Sequence, residues 1–178
     1  MIHPSYTDLM AVVNSEVEPG AQPVVQSRYS IVLANRIKYL KDMQQAYSGK
    51  SICISSNSTS KKAKEERKEA LRRLNSGEID CIFATYQLAA EGLDCPNLRY
   101  VVFATPEKDK RTIIQSVGRV ARKAEGKAYG TVIDFVDAFS LYQGWYKKRK
   151  GYYKALKCEI CDAMNSKYNW AEIIPKDD

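Results

Sequence analysis

Two arginines three residues apart, Arg119 and Arg122, are the groups in this 178-residue chain best suited to chemistry on a phosphate. A guanidinium stays ionised at any working pH, and its planar fork of donors matches phosphate oxygens. The pair stands in Gln115-Ser116-Val117-Gly118-Arg119-Val120-Ala121-Arg122, where the apolar spacing predicts a helix from about Lys110 to Arg122. Positions three apart on a helix share a face, so both cations would meet one ligand. Gly118, directly before the first arginine, lets a ligand or another backbone come close. An ordinary solvated face remains the alternative, since surface helices often carry paired arginines.

A second stretch, Ala84 to Leu98, has a different design. An apolar strand ends in Thr85, a short helix follows, Gly92 breaks it, and Asp94 with Pro96 fixes a turn. A hydroxyl and free backbone N–H groups at a strand-to-helix junction suit a phosphate oxygen. Asp94 can accept from a ribose hydroxyl, although on chemistry alone a plain turn aspartate is the preferred reading.

These residues need a scaffold, and the pattern supplies one. Apolar runs rich in strand formers lie at Ser30 to Ala34, Ser51 to Ser55, Ile79 to Ala84, Tyr100 to Ala104 and Gly130 to Phe135. Helical spacing lies between them at Arg36 to Tyr47, Lys61 to Ser76 and Lys110 to Arg122. Ser56 to Ser60 offers N-caps for the second helix, and Gly77 stops it. Strands alternating with helices predict one α/β domain, a parallel sheet of about five to six strands with helices on both faces. In such sheets the loops at the carboxyl ends of the strands build the site. Ala34-Asn35-Arg36, Ala84-Thr85-Tyr86 and Ala104-Thr105-Pro106 all fall there. The expected division is a lead-in over 1–28, with a short helix from Tyr6 to Val13, the α/β domain over 29–140, and a terminal helix and tail over 141–178. Gly144 and Gly151 are expected to interrupt that helix, and Lys157 to Asp178 to form a loose tail.

The net charge of +7 favours an anionic partner, nucleic acid over membrane. No run of about 18 apolar residues is present, and the N-terminus has no secretory pattern. Five cysteines is an odd count. Cys53 and Cys81 sit in strand-like runs where free buried thiols are normal, which fits a reducing cytoplasm.

The two stretches taken together resemble the second, C-terminal RecA-like domain of superfamily 2 helicases and translocases. The carriers are Thr85, Gly92, Asp94 and Pro96, then a strand, then Gln115, Gly118, Arg119 and Arg122. In order and spacing they are similar to that family's motifs V and VI. Val32 to Arg36 resembles its motif IV, and Val132 to Asp137 its closing strand. The resemblance covers roughly residues 28 to 140, and the pairing of motifs V and VI is highly specific.

The resemblance implies roles. Arg119 and Arg122 are matched to arginine fingers that stabilise charge on the γ-phosphate of ATP. Gln115 and Gly118 are matched to the start of that helix, and Gly92 with Asp94 to the contact with the nucleotide sugar. Thr85 is matched to the residue that holds a nucleic-acid backbone phosphate, and Asn35 and Arg36 to further contacts with the strand. The implied cofactor is ATP with Mg2+. The implied partners are nucleic acid, DNA more than RNA, and an N-terminal RecA-like domain of the same polypeptide that holds the Mg2+. Neither a Walker A loop nor an Asp-Glu pair at a strand end is present, so the chain is expected to be inactive alone. A scaffold module that binds nucleic acid without hydrolysis, and the motor part of a restriction or repair nuclease complex, remain alternatives.

Three weaker patterns complete the reading. Ser48-Gly49-Lys50-Ser51 imitates the end of a P-loop, but its order of helix, turn and strand is wrong. Lys147 to Lys150, between Trp145-Tyr146 and Tyr152-Tyr153, suits single-stranded nucleic acid. The commoner outcome is a solvated basic face whose rings pack on the sheet or another domain. Cys158 and Cys161 have metal-ligand spacing but are two ligands short of a zinc site, with the only histidine at His3.

Overall fold

A computed structural model of the chain describes residues 29–54, 58–127, 130–136 and 139–160. The elements run β1 (Ser30–Ala34), α1 (Ile37–Ala46), β2 (Ser51–Ile54), α2 (Lys61–Asn75), β3 (Cys81–Thr85), α3 (Tyr86–Glu91), β4 (Tyr100–Phe103), α4 (Lys110–Val120), β5 (Thr131–Asp134) and α5 (Ser140–Ala155). The expected lead-in with its helix from Tyr6 to Val13, Ser55 to Asn57, and the tail from Cys161 onward lie outside the described residues.

All strand pairs are parallel, in the order β2-β3-β1-β4-β5, giving five strands among the described residues. Every residue of β1, β3 and β4 is buried. That is why these strands read as continuous apolar runs rather than as alternation: a parallel sheet is covered on both faces. Successive side chains point to opposite faces. Val32, Cys81, Phe83 and Val102 meet Leu40 and Met43 of α1 and Tyr47 just beyond its end on one face. Ile31, Leu33, Ile82, Val101 and Phe103 meet α2, α3, α4 and α5 on the other.

Local chemistry fixes the helix ends. The Ser60 hydroxyl accepts from the Ala63 N–H at 3.2 Å and caps α2. The Asp109 carboxylate accepts from the Thr112 N–H at 2.7 Å and caps α4. That bond holds the Asp109 carboxyl below the usual aspartate range. α4 stops at Val120, short of the expected Arg122. The chain must return into β5 there, and Gly130 lies so close beneath that an added β-carbon would stand 1.9 Å from the Val120 carbonyl oxygen. α5, by contrast, runs unbroken through Gly144 and Gly151. Arg149 and Tyr153 bury on its inner side and hold it to the domain, which outweighs the two glycines.

The P-loop imitation lies in the turn from α1 into β2, at the amino edge of the sheet. There the Lys50 N–H donates to the Asp80 carboxylate at 3.0 Å, and the Asp80 N–H to the Lys50 carbonyl at 2.8 Å. Cys158 and Ile160 are half-buried against the core. Among the described residues no helix is long and apolar enough to cross a membrane.

Candidate functional site

The loops leaving β1, β3 and β4 meet along the carboxyl edge of the sheet, and hydrogen bonds tie them together. The Asn35 N–H donates to Thr105 Oγ1 at 2.9 Å, and its Nδ2 donates to the Pro106 carbonyl at 3.1 Å. The Tyr86 hydroxyl donates to the Thr105 carbonyl at 2.7 Å. Asn35 therefore braces the loop after β4. Arg36 stands beside it, exposed, with extended backbone at the start of α1. Thr85 closes β3 in register with Ala34 and is only 6% exposed, so it sits inside the edge rather than on it.

α3 ends at Gly92, whose φ of +107° is a setting that side chains with a β-carbon rarely adopt. The missing β-carbon matters in space as well. Its position would be 3.9 Å from Nη2 of Arg119, so the glycine of one stretch and the arginine of the other are neighbours across 27 residues of sequence. Leu93 and Cys95 are buried and Asp94 between them is exposed, pointing a carboxylate out of the fold. Burial lifts the Cys95 thiol to about 11, so it is an inert core group.

Two expectations about α4 need correction. Arg119 lies in its last turn and is half-buried, whereas Arg122 falls beyond the helix end and is exposed. A tighter turn joins them, in which the Arg122 N–H donates to the Arg119 carbonyl at 3.3 Å. Nor do Gln115 and Gly118 shape the helix start, which belongs to Asp109. Gln115 lies mid-helix, with its Oε1 buried and unpartnered among the described residues, and Gly118 is exposed with open space around it.

Two buried arginines escaped sequence reasoning. Arg67 of α2 donates from Nη2 to Glu91 Oε1 and to the Ser58 carbonyl, both at 3.0 Å. It anchors the residue directly before Gly92. The signal was present: Ala63, Arg67, Ala70, Leu71 and Leu74 form one buried stripe with a cation inside it. Arg149 of α5 is 1% exposed and grips Asp134 at the carboxyl end of β5 with two bonds, Nε to Oδ2 at 2.7 Å and Nη2 to Oδ1 at 2.8 Å. Its Nη1 donates to the Glu107 carbonyl at 2.9 Å, and the Tyr153 hydroxyl donates to Asp134 Oδ2 at 2.7 Å. Burial opposes the Arg149 charge, yet the bonds and charge of Asp134 outweigh it and raise its pKa. Burial, then the Asp134 charge, push the Tyr153 phenol up, and burial does the same to Tyr86. This network sets the floor of the loop that Asn35 braces from the other side.

The rim of this edge thus offers the cations Arg119 and Arg122, a β-carbon-free gap at Gly92, and the exposed acceptor Asp94. That set suits the phosphate and sugar of a nucleotide. Among the described residues no group of three or more His, Cys, Asp or Glu side chains could hold a metal ion.

The model of the helicase conserved C-terminal domain matches residues 10–124. Over 112 residues, 63% of this chain and 20% of the relative, the chain is 34% identical to putative helicase 22 of Sulfolobus islandicus filamentous virus. A 34-residue stretch, 19% of the chain, is 85% identical to 42% of the DNA-directed RNA polymerase subunit omega of Lachnoclostridium phytofermentans. The chain thus spans less than half the length of these relatives. The crystal structure of the Pyrococcus furiosus Hef helicase domain has a similar fold, with a TM-score of 0.57 at 23% identity, over 82% of this chain and 28% of that one. The family match ends at residue 124, before β5 and α5.

Proposed function

The chain belongs to the helicase conserved C-terminal domain family of superfamily 2 helicases, and we propose that it is the C-terminal motor domain of an ATP-dependent helicase or translocase acting on DNA. The observation that carries this reading is the placement of Arg119 beside Gly92. A guanidinium half-buried at the domain rim, next to a gap where no β-carbon intrudes, suits the phosphate end of a nucleotide held between this domain and another.

The residues fit one side of ATP with Mg2+. The nucleotide supplies a phosphoanhydride whose hydrolysis releases the free energy of the cycle. Arg119 and Arg122 hold fixed positive charge toward its phosphates, where a finger contributes about three to five orders of magnitude in rate, roughly 4–7 kcal/mol. Asp94, with Gly92 giving it clearance, accepts from the sugar. Gln115 and Gly118 line the approach, and the buried, unpartnered Gln115 Oε1 is an acceptor that a bound donor or water would satisfy. Asn35 and Arg36 face the nucleic acid, Asn35 from a loop its own amide has stiffened, and Thr85, buried just inside the edge, is matched to a backbone-phosphate contact. An N-terminal RecA-like domain of the same polypeptide supplies the Walker loop and the Mg2+ ligands. The free thiols at Cys53, Cys81, Cys95 and Cys158 suit a reducing cytoplasm.

The test is nucleic-acid-stimulated ATP hydrolysis by the two-domain polypeptide, with wild type beside Arg122→Ala and Arg122→Lys. A fall of about a hundredfold or more in kcat for Arg122→Ala, with nucleic-acid binding retained, supports the finger role. An unchanged rate in the variant, or no hydrolysis in the wild type, sinks it in favour of a scaffold that only binds nucleic acid. DNA and RNA of one sequence, run side by side, decide the substrate.

A further inference from the structure

α5 carries no Asp or Glu; its charges are Lys147, Lys148, Arg149, Lys150 and Lys154. Among the described residues Arg149 is the one of these with a carboxylate partner, Asp134. On one side of the helix Leu141, Trp145, Lys148 and Tyr152 follow at spacings of four, three and four residues, which makes a single stripe. Leu141 and Lys148 are exposed and both rings are half-buried, Tyr152 because it packs against the core. Each ring has an ammonium beside it: Lys108 Nζ lies 5.5 Å from the Trp145 centroid, and Lys110 Nζ lies 5.5 Å from that of Tyr152. The ring series continues outward through Tyr142 to Phe139, with centroid distances of 5.2 and 6.3 Å, and Phe139 is 63% exposed.

The stripe is joined to the nucleic-acid side of the candidate site by one short loop. Pro106 is held by Asn35, the Glu107 carbonyl by Arg149, and Lys108 stands over Trp145. A strand passing Asn35 and Arg36 would therefore meet this face of α5 next.

We propose that the exposed side of α5 and its N-terminal flank, Trp145 and Phe139 with Lys108, Lys110 and Lys148, is a binding surface for single-stranded nucleic acid. Rings give the unpaired bases a stacking platform, and lysines track the backbone phosphates. A protein partner fits less well, because the cores of protein interfaces are depleted in lysine. A duplex fits less well because its base faces are already stacked. α5 lies beyond the matched family domain and Lys108 and Lys110 lie within it. The inference rests on the proposed passage of a strand by Asn35 and Arg36, but Arg119 and Arg122 take no part, so loss of the finger role and loss of this surface are read by different measurements.

The test uses the full chain with Trp170→Phe, which leaves Trp145 as the only tryptophan. A 15-mer of thymidylate, a 15-mer of uridylate and a DNA duplex are titrated at several salt concentrations. Binding is followed by Trp145 emission and by anisotropy of a labelled oligomer. The expected result is saturable quenching by the single strands and much weaker quenching by the duplex. Trp145→Leu should weaken single-strand binding by about tenfold or more, Trp145→Phe by far less, and Lys148→Ala should lower the salt slope by about one. Which of the two oligomers binds tighter tells DNA from RNA. Thermal melting of Trp145→Leu beside Trp145→Phe separates lost stacking from lost folding. Equal binding by these two variants overturns the proposal. So does an unquenched Trp145 at saturating oligomer, which would leave the rings to another protein domain.

Discussion

Gly92 and Arg119 are placed so that any β-carbon on the first would stand 3.9 Å from a guanidinium nitrogen of the second. The contact alone would be ordinary. The backbone is what forbids it, since φ at Gly92 is +107°. Gly92→Ala should therefore cost roughly 1–3 kcal/mol through strain. Relief of that strain would swing the segment from Glu91 to Asp94 against Arg119. Urea denaturation should show the loss, and hydrolysis by the two-domain polypeptide should fall further than the stability change explains.

Gly118 poses the opposite case. It lies in the last turn of α4, exposed, with nothing within 4 Å of an added β-carbon. Gly118→Ala should raise stability by about 0.5–1 kcal/mol, as a helix interior prefers alanine. The same gain is expected at Gly144 and Gly151 of α5, where space is equally open. If hydrolysis drops in Gly118→Ala and not in Gly144→Ala, the space above Gly118 belongs to a ligand or to the other domain. Paired melting and ATPase measurements check this.

These glycines show what the chain made legible and what it did not. β1, β3 and β4 could be read directly because burial on both faces leaves a continuous apolar run. The identity of the edge residues was equally open, since Thr85, Gly92 and Asp94 punctuate a strand, a helix and a turn. The end of α4 was not, because its cause is Gly130, ten residues further on, packed against the Val120 carbonyl. Arg67 and Arg149 were hidden for a related reason. Each sits in a charged helix, where a cation normally means solvent, and each partner carboxylate is remote: Glu91 is 24 residues from Arg67, and Asp134 is 15 from Arg149. The apolar stripe of α2 placed Arg67 on the inner side, but the partner that makes burial of either charge tolerable is set by a pairing in space that local pattern does not carry.

The Arg149–Asp134 pair should dominate the attachment of α5. Taking both charges from water is costly, and the two-point geometry with the Tyr153 and Glu107 bonds offsets it. Removing one partner leaves the other buried and uncompensated. Arg149→Met should thus destabilise by roughly 3–5 kcal/mol. Combining it with Asp134→Asn should cost less than the two single changes added, by about 1–3 kcal/mol. Urea midpoints of the four proteins close the cycle, and strict additivity would mean the pair is not coupled.

Alkaline pH should separate Tyr153 from the surface tyrosines. Burial comes first and the Asp134 charge second in raising its folded pKa above the unfolded value of about 10. Tyr86 is raised by burial in the same pocket, with Asp134 and Glu107 adding to it and Arg149 opposing. A phenol held neutral in the folded state contributes stability that is fully present below about pH 10 and is lost as pH rises above it, because only the unfolded chain can then release the proton. Each such tyrosine steepens the loss by about 1.4 kcal/mol per pH unit. Tyr153→Phe removes one of them and also removes the bond to Asp134. The variant should be less stable than wild type at pH 8, by roughly 1–3 kcal/mol, and the gap should narrow between pH 10 and 11. Stability measured by urea at half-unit steps reads this directly, and a gap that stays constant through pH 11 would show that Tyr153 ionises as freely in the fold as outside it.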